Sequence, residues 1–112
     1  MAGMTTVLTE FSDNGNSRTS TYTGHTALEP RLVIEKRRVP EGGQTMIEYT
    51  AKVVSSTEDS DGLILDQKVS FEAIVRYPKL GASADVTAAL VIFRDVIAGD
   101  EFANSVNTQE WL

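Results

Sequence analysis

The sequence predicts an α+β fold, an antiparallel β-sheet followed by C-terminal helices. Three observations predict it. Alternation with period two recurs from Thr5 to Tyr77, an Asn14-Gly15 turn sits inside the first such run, and after Gly81 the apolar spacing changes to that of a helix. At 112 residues and 41% hydrophobic content the chain fits one domain with enough apolar surface to fold. That domain, 1–112, comprises an N-terminal hairpin (5–26), central antiparallel strands (31–78) and a helical segment (83–110).

The elements follow in order. Thr5 to Phe11 reads as a strand, and Asp13-Asn-Gly-Asn16 as its hairpin turn, since both Asn and Gly tolerate positive φ. Ser17 to Thr23 returns. Ten of the 22 residues from Thr5 to Thr26 are Ser or Thr, so this hairpin has too little apolar surface for both faces to be buried. After Pro30, Arg31 to Val39 forms a strand with Leu32 and Ile34 on one face and Arg31, Val33, Glu35 and Arg37 on the other. Pro40-Glu-Gly-Gly43 turns it into Thr45–Ser55, where Ile47, Tyr49, Ala51 and Val53 alternate with Glu48, Thr50 and Lys52. An acidic loop, Thr57 to Gly62, precedes a long extended run from Leu63 to Tyr77. There Val69, Phe71, Ala73, Val75 and Tyr77 oppose Lys68, Ser70, Glu72, Ile74 and Arg76. Ser83 stands at a helix N-cap with Asp85 in the first turn. Val86, Ala89, Leu90, Phe93 and Ile97 make one stripe, Gly99 is the C′ residue, and Asp100 caps a second helix carrying Phe102 and Val106. The helix is expected to cover one apolar sheet face.

Composition excludes much chemistry. There is no cysteine, hence no disulfide or thiolate, which fits a cytoplasmic setting. No secretory leader pattern is visible, and no apolar run approaches the ~18 residues of a membrane span. One histidine is too few for a His-pair zinc site, and phosphate-cradling glycine motifs are absent. No catalytic residue, cofactor or resident metal is expected. The loop residues Glu58, Asp59 and Asp61 could be read as a calcium loop, but they lack the twelve-residue pattern and its closing Glu. His25 reads as a strand-end or loop residue, Trp111 as a packing anchor or subunit contact, and Tyr49 and Tyr77 as core.

The net charge of −6 is segregated. Residues 31–54 and 67–80 each carry +2, whereas the acidic loop (55–66) and the C-terminal part (81–112) each carry −4. Arg31, Arg37, Lys52, Lys68 and Arg76 fall on the charged sides of their strands. If those strands are neighbours, the five share one side of one sheet and offer a polyanion a positive face.

The order of these elements, with Arg31-Leu-Val-Ile-Glu-Lys-Arg-Arg38, Ile47-Glu-Tyr-Thr-Ala-Lys-Val53 and Asp85-Val-Thr-Ala-Ala-Leu-Val-Ile-Phe-Arg-Asp95, resembles the coat proteins of the single-stranded RNA bacteriophages, the leviviruses. The resemblance covers nearly the whole chain and rests on pattern. It implies an intertwined homodimer with one continuous sheet, helices packed on the partner copy, assembly into an icosahedral virion shell in the bacterial cytoplasm, and an RNA hairpin on the inner sheet face that also represses translation. Carried over, it implies RNA contacts at Thr50 and Lys52, at Arg37 on the preceding strand, and at Lys68 and Arg76 as comparable candidates; Arg31 joins them from the charge pattern alone. Glu35 and Glu48 depart from such a surface, because carboxylates repel phosphate. Two other readings stay open: a small cytoplasmic α+β dimer serving as a ligand-binding or scaffold module, and a carboxylate-dependent hydrolase.

Overall fold

A computed structural model describes residues 3–38 and 45–112. The expected turn at Pro40–Gly43, with Val39, lies outside the described residues. The chain divides after Lys79 into a sheet unit and a helical unit.

The sheet unit holds five antiparallel strands in sequential order: β1 (Thr9–Asp13), β2 (Ser17–Thr21), β3 (Arg31–Arg38), β4 (Met46–Ser55) and β5 (Val69–Pro78). The first turn forms where expected. Gly15 takes φ +84° and donates its N–H to Asp13 Oδ1 at 2.8 Å, while the Asn14 N–H reaches the Ser17 carbonyl at 2.8 Å. Thr5–Leu8 is not strand, so β1 has five residues, with a register shift between Glu10 and Ser12. From β2 the chain returns through a turn at Gly24, φ +95°. That positive φ favours glycine, and a Cβ there would crowd the Arg31 side chain, 3.0 Å from its Nε.

β3 pairs with β4 over eight residues and β4 with β5 over ten, without a bulge. The extended run expected from Leu63 becomes strand only at Val69. Local hydrogen bonds claim the preceding residues: Asp59 Oδ1 accepts the N–H groups of Asp61 and Leu63, both at 2.9 Å. Glu58 bridges Ile64, and Thr57 Oγ1 donates to the Gln67 carbonyl at 2.6 Å. An Asx-type turn therefore competes with the ladder and wins.

The helical unit holds α1 (Ser83–Ala98) and α2 (Asp100–Thr108). Both helices start one residue earlier than the sequence suggested. Ala82 is the N-cap of α1 and Ser83 its first helical residue, with no side-chain cap bond. Gly99 is not a left-handed C′ residue: its φ of −75° and ψ of 153° are extended, and it serves both as C-cap of α1 and as N-cap of α2, ahead of Asp100. The left-handed position falls instead at Gln109, φ 60°, after α2. Asp85, Asp100 and Glu101 still place negative charge in the first turns, where the helix dipole favours it.

Among the described residues no hydrophobic side chain is buried; Ser20, on β2, is the buried residue. Leu90, Phe93 and Ile97 of the α1 stripe are exposed, as are Val53, Val69 and Phe71 of the sheet. Of the tyrosines expected in a core, Tyr77 is half-buried and Tyr49 exposed, and Trp111 is 97% exposed.

Candidate nucleic-acid interface on the sheet

Residues directly opposite in an antiparallel pair share a face. β3 pairs Val33 with Val53, Glu35 with Ala51 and Arg37 with Tyr49, and β4 continues these rows into Phe71, Ala73 and Val75 of β5. This is the apolar face. The opposite, polar face carries the rows Arg38–Glu48–Arg76, Lys36–Thr50–Ile74 and Ile34–Lys52–Glu72, with Leu32–Val54–Ser70 beyond them.

That register corrects the grouping expected from the sequence. Thr50, Lys52 and Arg76 do share the polar face. Arg31 and Arg37 lie on the opposite face, in the rows of Ser55 and Tyr49, so the five basic residues do not converge. Leu32 and Ile34, expected on the apolar face, share the polar one with Val54 and Lys52. Lys68 precedes β5 and donates to the Asp66 carbonyl at 3.2 Å. Lys36 and Arg38, which were not candidates, take the place of Arg31 and Arg37. The signal for them was weak. Leu32-Val33-Ile34 is apolar at both parities and Lys36-Arg37-Arg38 charged at both, so alternation cannot orient β3, and a one-residue change of register exchanges the faces.

The same register removes one carboxylate and neutralises the other. Glu35 stands on the apolar face, where it accepts the Tyr49 hydroxyl at 2.6 Å. Burial, then the hydrogen bond and the charge of Glu35, push the Tyr49 phenol up to about 12, so it stays a donor. Glu48 lies between two guanidiniums, 3.0 Å from Arg76 Nε and 3.8 Å from Arg38 Nη2. Each arginine keeps further N–H donors for an incoming oxygen. Among the described residues Lys36 and Lys52 enter no ion pair. The polar face thus carries four cations and two carboxylates, one of them already paired.

On the apolar side a cleft of about 210 Å³ lies beneath the first turn, lined by Gly15, Arg18, Glu35, Arg37 and Tyr49 among others. Its polar groups serve the fold: Arg37 Nη2 donates to the Gly15 carbonyl at 3.0 Å, and Glu35 holds Tyr49. His25 is likewise structural. Its Nδ1 accepts the Arg31 N–H at 3.0 Å, and its ring meets Phe11 edge-on at 6.0 Å. Among the described residues no cluster of three His, Cys, Asp or Glu is arranged to hold a metal. Asp59 spends its Oδ1 on the backbone of its own loop.

No protein-family model and no curated protein matches the chain. Solved structures do match. A virus-like particle of Beihai levi-like virus 21 superposes with a TM-score of 0.80 at 10% identity, over 96% of this chain and 87% of that one. One of Beihai levi-like virus 32 gives 0.75 at 9% identity, over 98% and 91%. One of bacteriophage GQ-907 gives 0.76 at 14% identity, over 100% and 88%. The five-stranded antiparallel sheet followed by two helices thus has the fold found in virus-like particles of levi-like viruses and a bacteriophage, the levivirus coat protein-like fold that the sequence pattern resembles.

Proposed function

We propose that the chain is the coat subunit of a single-stranded RNA phage. Two copies form a homodimer, dimers assemble into an icosahedral virion shell, and the polar sheet face holds RNA. The observation that carries this reading is the absence of any buried hydrophobic residue among the described residues, in a chain with an apolar sheet face and an apolar helix stripe. Apolar surface left open on that scale destabilises an isolated subunit and marks an interaction surface. A second copy supplies the same two complementary surfaces, so the sheet and helical units act as one domain completed by a partner. The fold shared with virus-like particle subunits supports shell assembly as the outcome.

Edge geometry favours β5 as the dimer seam. β1 is short, polar and kinked by its register shift, all of which discourage pairing, whereas β5 is ten residues long and regular. RNA would contact Lys36, Arg38, Thr50, Lys52 and Arg76, with Lys68 at the margin. Binding is electrostatic, the guanidiniums and ammonium groups replacing condensed counterions around phosphate. Repression of translation would follow if a hairpin of the message occupied the same face. The role is structural and non-catalytic.

Electron microscopy and size-exclusion of the expressed protein test the reading. Megadalton particles containing RNA are expected. A discrete dimer at every salt and RNA concentration would overturn the shell and leave a scaffold or binding module.

A further inference from the structure

Lys79 donates its N–H to the Thr45 carbonyl at 2.7 Å, and the β4–β5 register runs unbroken from there. Backbone groups alternate in direction along an antiparallel strand. Odd-numbered residues of β5 therefore bond to β4, and Ser70, Glu72, Ile74 and Arg76 turn their N–H and C=O groups outward to the free edge. Pro78, which has no N–H, falls on the outward set, the position a strand tolerates proline.

We infer that β5 pairs antiparallel with β5 of a second copy about a two-fold axis through Ile74, so that Glu72 faces the partner's Arg76. This rests on the dimer reading above and specifies its register. The reason is the charge row on the polar face. Arg38, Glu48 and Arg76 already alternate in sign across three strands, and Lys52 stands opposite Glu72. With the axis at Ile74 the row continues through the interface: Arg38, Glu48, Arg76, then the partner's Glu72 and the partner's Lys52. The two-fold repeats it in the other direction, giving two new opposite-charge pairs per dimer. The apolar face gains two aromatic pairs, Phe71 with the partner's Tyr77.

Neighbouring registers lose this. An axis through Glu72 sets Glu72 against the partner's Glu72 and Lys68 against the partner's Arg76, both repulsive. An axis through Ala73 sets Arg76 against the partner's Ser70 and Glu72 against the partner's Ile74. An axis through Val75 sets Arg76 against the partner's Ile74. Opposite charges directly across a strand pair stabilise it and like charges destabilise it. The sequence spacing of Glu72 and Arg76 thus selects one register.

The chain has no cysteine, so a single introduced thiol is unique. A residue on the axis meets its own copy at a Cα separation of about 5.5 Å at position 74, or about 4.5 Å were the axis at 73 or 75, all within disulfide reach. Ala73→Cys, Ile74→Cys and Val75→Cys are oxidised in parallel and resolved on non-reducing gels. Fastest dimer cross-linking by the Ile74 variant supports the register. Fastest cross-linking at 73 or 75 overturns it while leaving the edge-paired dimer intact. No cross-link in any of the three, with monomer in solution, overturns the dimer reading itself.

A second test does not depend on thiols. Glu72→Lys and Arg76→Glu each make the homodimer repulsive at both pairs, raising its dissociation constant about tenfold. Mixed, the two variants restore both pairs and should form heterodimer preferentially by native mass spectrometry. A statistical mixture, or unchanged homodimers, overturns the register.

Discussion

Replacing Lys36 and Lys52 by alanine should flatten the salt dependence of RNA binding. Both lysines lie on the polar sheet face, in adjacent rows, and neither is held by a carboxylate in an ion pair. Each therefore offers a full charge to phosphate. On single-stranded nucleic acid each neutralised phosphate contributes about −0.7 to the slope of log K against log salt. The double variant removes two such contacts per subunit and four per dimer, lowering the slope by about 2.8. Between 50 and 200 mM salt, a span of about 0.6 log units, wild type should lose roughly fifty-fold more affinity than the variant. Fluorescence anisotropy of a labelled RNA with disassembled dimers, titrated at several salt concentrations, measures it. Arg18→Ala, on the opposite face in the row of Glu35, is the control and should leave the slope unchanged. An unaltered slope in the double variant, or an equal loss in the control, would refute the assignment of the polar face as the RNA surface.

Further outcomes follow from the same geometry. Phe71→Asp puts a charge into the row of Val33 and Val53 on the apolar face, and shell assembly should fail while the circular dichroism of residual soluble protein stays β-rich; intact particles would contradict burial of that face. Tyr49, raised to about 12 in the folded chain against an ordinary 10, favours the fold fully below pH 10. That contribution is lost as the pH rises from about 10 to 12, so ultraviolet titration of wild type against Glu35→Gln should show a phenol ionising earlier in the variant. Asp59→Ala removes the acceptor of two backbone N–H groups and should cost about 1 kcal/mol, with the amides of Asp61 and Leu63 exchanging faster than in wild type. A chelator should not reproduce that change, since the carboxylate is engaged by its own loop.

Much of the fold was legible because its signals are local. Asn14-Gly15 can take the conformations a tight hairpin needs, and the change of period after Gly81 follows from side-chain geometry in strands and helices. β4 and β5 each have one clearly apolar side, so Thr50, Lys52 and Arg76 were grouped correctly. β3 was not legible in the same way. With Leu32, Val33 and Ile34 apolar and Lys36, Arg37 and Arg38 basic, both faces satisfy the pattern, and the pairings with β2 and β4 alone turned Lys36 and Arg38 to the polar side. Helix starts slipped by one residue for a related reason: Ala82 and Gly99 cap through backbone conformation, which leaves no mark in side-chain type.

By itself, the sequence determined the order of elements, which sides of β4 and β5 are apolar, and that the net positive balance falls on the central strands. These depend on residue type and short-range geometry. Only the tertiary structure decided which basic residues stand together, and that Glu48 sits between two arginines while Glu35 is turned away with Tyr49. Those facts depend on pairing between strands far apart in sequence, where a shift of one residue moves every side chain to the opposite face.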